Sequence, residues 1–172
     1  LRDAVVSAEN RTFWSDPGIS VKGMSRAAFS VLRGGDVQGG STITQQYIKV
    51  LYLSQERTMQ RKLKELVLAD KMGRKVPKED ILAGYLNTIY FGRGAYGVQA
   101  AAKAYFNIDA KDLDLRQAAV LAAVLNNPTL FDPSDGPAAR ERLLGRYRYV
   151  LDGMLEMGRI SQSDHDAASH AL

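Results

Sequence analysis

The chain has 172 residues, 45% of them hydrophobic, 24% charged and 8% aromatic, with a formal net charge of +4. That length holds one domain, or two small ones, with a sizeable core, and so much apolar material excludes a disordered chain. Zero cysteines exclude disulfides, thiol nucleophiles and thiolate-bound metal; the two histidines, His165 and His170, are too late and too badly spaced for a Ser–His triad or a histidine-rich zinc site.

Leu1 to Phe13 reads as a helix with Leu1, Val5 and Ala8 on one side, broken by turn residues from Trp14 to Gly18. Met24 to Leu32 reads as a second helix, stopped by Gly34 and Gly35, and a glycine-rich loop then runs to Gly40. Thr42 and Gln45 form a capping-box pattern that starts a helix reaching about Leu53. Thr58 to Met72 has apolar residues at Met59, Leu63, Leu66, Val67 and Met72, the spacing of an amphipathic helix. Pro77 suits a first helical turn, and the period continues through Ile81, Leu82, Tyr85, Leu86 and Ile89. After a loop at Gly92, Gly94 and Gly97 come an Ala-rich helix from Val98 to Phe106 and a helix capped by Asp114 and Gln117. The latter runs to Leu125 and is closed by Pro128; Ala138 to Met157 and the residues from Ser161 onward are two more helices. No strand, repeat or linker stands out, so the fold class is mainly α.

No apolar run approaches the ~18–20 residues of a membrane span, and the chain begins at Leu1. It is expected to be a domain excised from a longer, membrane-anchored protein, with residues 1–172 forming one domain.

Charge is unevenly spread. Between Lys49 and Lys75 eight bases (Lys49, Arg57, Arg61, Lys62, Lys64, Lys71, Arg74 and Lys75) face three acids, a net of +5, which leaves the rest of the chain at −1. A basic patch on a nearly neutral body points to an anionic partner, although a solvated helix face explains charge alone equally well. Gly92-Arg-Gly-Ala-Tyr-Gly97 matches the dinucleotide-binding pattern, but a helix precedes it and no βαβ unit surrounds it, so its glycines serve a tight turn and close packing. The Gly39-Gly-Ser-Thr42 entry into a helix can receive phosphate oxygens on unpaired N–H groups, and Lys49 two turns on favours that ligand. Arg57, Arg61 and Glu65 recur at steps of four with Lys62 beside them: an exposed ion-pair ladder, or a carboxylate held among cations at a polyanion site. Glu9 sits at the edge of an apolar face, where partial burial suits a general base or acid.

Together these segments resemble the peptidoglycan glycosyltransferase domain of penicillin-binding proteins and their monofunctional relatives. The family's Glu-Asp-x-x-Phe-x-x-His-x-Gly motif is similar to Glu9-Asn-Arg-Thr-Phe13-Trp-Ser-Asp16-Pro-Gly18, with Asn10 and Asp16 in place of the usual Asp and His. Gly39-Gly-Ser-Thr-Ile-Thr-Gln-Gln46 matches the second motif, Arg61-Lys62-Leu-Lys-Glu65 the third, and Lys78 to Asn87 followed by Tyr90 to Gly97 the fourth.

The resemblance implies a lysozyme-like, two-lobed helical fold with a central cleft. It implies polymerisation of lipid II into β-1,4-linked glycan with inversion and release of undecaprenyl pyrophosphate. Glu9 and Glu65 are then the catalytic residues, and Phe13, Gly40, Ser41, Thr42, Gln45, Gln46, Lys49, Arg57, Arg61 and Lys62 the substrate-binding ones. Lipid II, the nascent glycan, the membrane surface and phosphoglycolipid inhibitors of the moenomycin type are the partners implied, at the extracytoplasmic face of the bacterial membrane. No bound cofactor is required, although Mg or Mn can assist, and no nucleic acid is expected. The alternative is a lytic or hydrolytic relative on the same fold. For membrane contact the apolar segment Phe29 to Leu32 is the candidate.

Overall fold

In the computed structural model the described residues are 1–20, 25, 40–52 and 58–170. Arg57, most of the expected helix at 24–32 and the loop up to Gly39 lie outside them. Among the described residues the chain is helical, with no strand beyond a single antiparallel bridge between Tyr90 and Tyr96.

Helix α1 (Arg2–Glu9) ends four residues earlier than its apolar period suggests. Asn10, in extended conformation at φ −161°, closes it through an N–H bond to the Val6 carbonyl. Glu9 thereby becomes the last helical residue. Helix α2 (Ile43–Tyr52) starts at the expected capping box: Thr42 Oγ1 accepts from the Gln45 N–H at 3.1 Å, and Gln45 Oε1 accepts from the Thr42 N–H at 2.8 Å. Helix α3 (Met59–Lys75), capped by Thr58, is followed by α4 (Lys78–Thr88). The glycine loop leads into α5 (Val98–Phe106), which Asn107 ends in the left-handed region, and α6 (Leu115–Leu125) carries the expected Asp114–Gln117 box. Pro128 does more than end that segment: at the first position of α7 (Pro128–Phe131), capped by Asn127, it starts a new turn of helix. Helices α8 (Pro137–Glu156) and α9 (Gln162–His170) complete the chain.

The chain divides into two compact units, Leu1–Arg11 with Leu86–Leu172, and Thr12–Tyr85. In the first, α1 packs on α6 and α8. Ala4, Val5, Val6, Ser7 and Ala8 are all buried, so α1 is enclosed on every side there, and the Ser7 hydroxyl donates to the Val150 carbonyl at 2.7 Å. In the second, α2 packs on α3, and Phe13, Ile43, Ile48, Ala69, Ile81, Leu82 and Tyr85 form the core. Each large apolar side chain so buried contributes about 1.5–3 kcal/mol.

The first-motif turn approaches α3 without intervening side chains. A Cβ on Gly73 would sit 2.3 Å from the Pro17 carbonyl oxygen, and one on Gly18, at φ +96°, 2.3 Å from that of Ala69. Only glycine permits this contact.

The apolar positions of helix α3 divide: Met59, Leu63 and Val67 are 76%, 60% and 68% exposed and Leu66 and Met72 half-buried, whereas Glu65 and Ala69 are buried. The cations beside Glu65 permit its burial, because an ion-paired carboxylate is tolerated inside where a lone one is not. Val50, Leu51 and Tyr52 at the end of α2 are exposed as well.

Candidate functional site

Glu65 is the organising residue of the second unit. Its side chain is 3% exposed; one oxygen accepts from Arg61 Nη1 at 3.0 Å and the other from Lys62 Nζ, and both partners lie on the same face of α3. Lys62 Nζ also donates to the Ser41 hydroxyl at 3.0 Å, which ties α3 to the start of α2. Two cations against one carboxylate leave a net positive charge. Lys62, 35% exposed, carries part of it to the surface. The ladder is therefore not a solvated one. Glu65 is an anchor that orients two cations and presents almost no surface of its own.

The remaining residues of the second motif divide by burial. Gly40 is exposed at φ +119°, and Ser41 and Lys49 are half-buried. Gln46 accepts from the Tyr85 hydroxyl at 2.8 Å. Thr42 and Gln45, 1% and 2% exposed, have their polar groups committed to the capping box and, for the Thr42 hydroxyl, to the Gly18 carbonyl at 2.6 Å. In this structure they position the α2 start. Phe13 lies in the core of the second unit. It is fully buried, edge-on to Trp14, with Lys78 Nζ 4.7 Å above its ring.

The first-motif departures find local partners. Asp16, in place of the usual His, accepts from the Gly18 N–H at 2.9 Å and pairs with Lys78 at 3.1 Å, so a carboxylate there is matched by a cation over Phe13. Asn10 is the buried cap of α1. Gly92 and Gly97 of the 92–97 loop make tight packing, as the sequence suggests, whereas a Cβ on Gly94, at φ +70°, would meet nothing within 4 Å. Gly97, at φ +82°, sits where a Cβ would meet the Asn87 carbonyl oxygen at 2.5 Å.

In the first unit Glu9 is 9% exposed at its side chain and pairs with Arg146 of α8, whose Nη2 lies 3.5 Å from Glu9 Oε1 and 2.6 Å from the Ala8 carbonyl. Sequence reasoning missed Arg146. The signal was there: an arginine between Leu143 and Val150 at helical spacing, on the face that Leu143, Tyr147 and Val150 bury. Ser41, Arg61, Lys62 and Glu65 are thus brought together in one unit, while Glu9 belongs to the other, and Arg57 lies outside the described residues. Among the described residues no three acidic or histidine side chains are grouped to hold a metal ion.

A family model described as transglycosylase matches residues 1–155. Penicillin-binding protein 1A of Mycolicibacterium smegmatis is 48% identical over 97% of this chain, and that of Mycobacterium tuberculosis 46% identical over 97%. The chain spans 22% and 20% of those two proteins, about a fifth of their length. A crystal structure of penicillin-binding protein 1A from Haemophilus influenzae aligns over 76% of this chain and 16% of that one at 25% identity and a TM-score of 0.47. With the family pattern running from Leu1 to Leu155 and carrying both Glu9 and the Glu65 cluster, the chain belongs to the transglycosylase family, as a peptidoglycan glycosyltransferase domain.

Proposed function

We propose that residues 1–172 act as one domain that polymerises lipid II, the undecaprenyl-pyrophosphate-linked disaccharide-peptide, into β-1,4-linked glycan with inversion. The growing strand is the donor. Glu9 accepts the proton of the incoming 4-hydroxyl as that oxygen bonds to the donor's anomeric carbon, and the bond from that carbon to the pyrophosphate oxygen breaks. Arg61 and Lys62, with Ser41 and the sequence-placed Lys49 and Arg57, neutralise the charge that develops on the leaving pyrophosphate. Glu65 keeps the two cations in place. The observation that carries this reading is the buried Glu65 holding two cations against Ser41 at the start of α2, since a fixed cationic cluster serves an anionic leaving group and has no use in hydrolysis. Phosphoglycolipids of the moenomycin type share that phosphate chemistry and take the same cations.

The substrate is lipid-borne, and we assign the exposed stripe of Met59, Leu63 and Val67 to the membrane surface at the extracytoplasmic face, with Val50, Leu51 and Tyr52 beside it in sequence. Isolated apolar faces of this kind are covered in working proteins, and the exposed Lys64 and Lys71 on the same helix suit anionic headgroups. No helix among the described residues is long and apolar enough to cross a membrane. No bound cofactor is part of the proposal. Mg or Mn enters only as a companion of the substrate pyrophosphate, and chelation during the assay measures its share.

The test is incubation of the purified chain with lipid II, followed by separation of the glycan products. Polymer supports the reading. Shortening of preformed glycan strands, with no polymer from lipid II, supports the hydrolytic alternative instead.

A further inference from the structure

The carboxylate of Glu9 stands at an unfavourable place. It is the last residue of α1, where unpaired carbonyls give the helix end a partial negative charge, and an acidic group there is repelled. Arg146 answers both charges with one nitrogen, donating to the Ala8 carbonyl at 2.6 Å and facing Glu9 at 3.5 Å. The second distance is at the limit of a hydrogen bond, so Arg146 restrains the carboxylate mainly through charge.

Arg146 has little other hydrogen bonding to fix it, since its Nε is buried without a hydrogen-bond partner. What it does have is the ring of Tyr149, 4.6 Å from its guanidinium. A second guanidinium, Arg11, lies 4.5 Å from the same ring, donates to the Tyr149 and Ser7 carbonyls at 3.3 Å, and pairs with Glu156 at 2.5 Å. Both cations on the Tyr149 ring are paired with a carboxylate, Arg11 with Glu156 and Arg146 with Glu9. Two cations on one ring repel each other, and the carboxylate paired with each offsets that repulsion.

We propose that Tyr149, clasped between Arg11 and Arg146, is a positioning residue for the reaction: it sets the guanidinium of Arg146 and, through it, the orientation of the Glu9 carboxylate. The inference rests on Glu9 being the general base. Tyr149 does not touch the reacting atoms. Its ring is what matters, and these contacts make no use of its hydroxyl.

The experiment is steady-state lipid II polymerisation by Tyr149→Leu, Tyr149→Phe, Arg146→Lys, the Tyr149→Leu/Arg146→Lys double variant and Glu9→Gln, each with a thermal melt. Tyr149→Leu is expected to lower kcat about tenfold to a hundredfold, the scale of a misplaced catalytic group, with KM nearly unchanged. Tyr149→Phe restores turnover. The double variant loses about as much as the worse single one, because both act through one contact. A merely structural Tyr149 would lower the melting temperature and leave kcat per folded enzyme unchanged, and that result overturns the proposal. Full turnover by Tyr149→Leu beside an inactive Glu9→Gln overturns positioning while the base stands. An active Glu9→Gln overturns both. Losses in kcat that multiply in the double variant overturn the linkage.

Discussion

Glu65 shows how far a single residue's meaning depends on burial. In sequence it is one acid in a ladder whose exposed pairs would be worth ~0.3–0.5 kcal/mol each. Buried between Arg61 and Lys62, it instead holds in place the two cations proposed to meet an anion. Two substitutions separate those roles. Glu65→Gln should destabilise the chain by about 1–3 kcal/mol, less than the ~3–5 of a fully enclosed pair because Lys62 is 35% exposed and can be re-solvated. Lys62→Ala should do the reverse, weakening binding of a phosphoglycolipid by about 1.5–3 kcal/mol with a smaller effect on stability. Denaturant melts and isothermal titration on both variants read the two quantities. Unchanged affinity in Lys62→Ala would make that cation structural and move the leaving-group site elsewhere. The capping residues teach a related lesson: Thr42 and Gln45 spell a helix start in the sequence, and both are buried where they make it.

At the scale of elements, the contact of the 17–18 turn with α3 is made by glycine at both sides. Gly73→Ala would drive a Cβ against the Pro17 carbonyl, which is backbone and cannot swing away. A loss of about 1–3 kcal/mol by urea unfolding is expected, and an unchanged midpoint would show that the turn can give.

A second element-level device joins the 89–97 loop to the segment after α7. Arg93, at φ +52°, makes two bonds to Asp132, at 2.6 and 2.9 Å, and stacks 4.2 Å over Tyr105. The Arg93 hydrogen bond holds the Asp132 carboxyl well below the usual carboxylate range, while burial pushes the Tyr105 phenol up to about 12. The signs follow from proton uptake. Below about pH 4 the unfolded Asp132 binds a proton that the folded one refuses, so the stability present at neutral pH is lost with acidification. Above about pH 10 the unfolded tyrosine releases a proton that the folded one keeps, so stability falls again toward pH 12. Arg93→Gln should flatten the acid side in urea melts from pH 2 to 6; an unchanged slope would assign acid sensitivity to other carboxylates.

For the whole molecule, the proposed membrane contact rests on the exposed residues Met59, Leu63 and Val67 of α3. Leu63→Ser with Val67→Ser should reduce co-sedimentation with anionic liposomes several-fold and leave the melting temperature nearly unchanged, since both side chains already face solvent. Equal partitioning would move membrane contact to another surface. The expected segment, Phe29 to Leu32, lies outside the described residues, and a parallel Phe29→Ser variant compares the two.

The sequence by itself determined the helical class, most helix starts and the identity of the motif residues, because these are local: capping boxes at Thr42 and Asp114, proline positions, glycine turns and the Arg61, Lys62 and Glu65 cluster sit within a few residues of their partners. The tertiary structure alone decided which side of α3 faces inward, since a period of 3.6 defines a stripe but not what lies opposite it. It also decided the surroundings of Glu9. Arg146 and Tyr149 are more than 130 residues away along the chain, and no local pattern couples an arginine in α8 to the last residue of α1. Only the packing of the two helices brings that charge to the helix end that needs it.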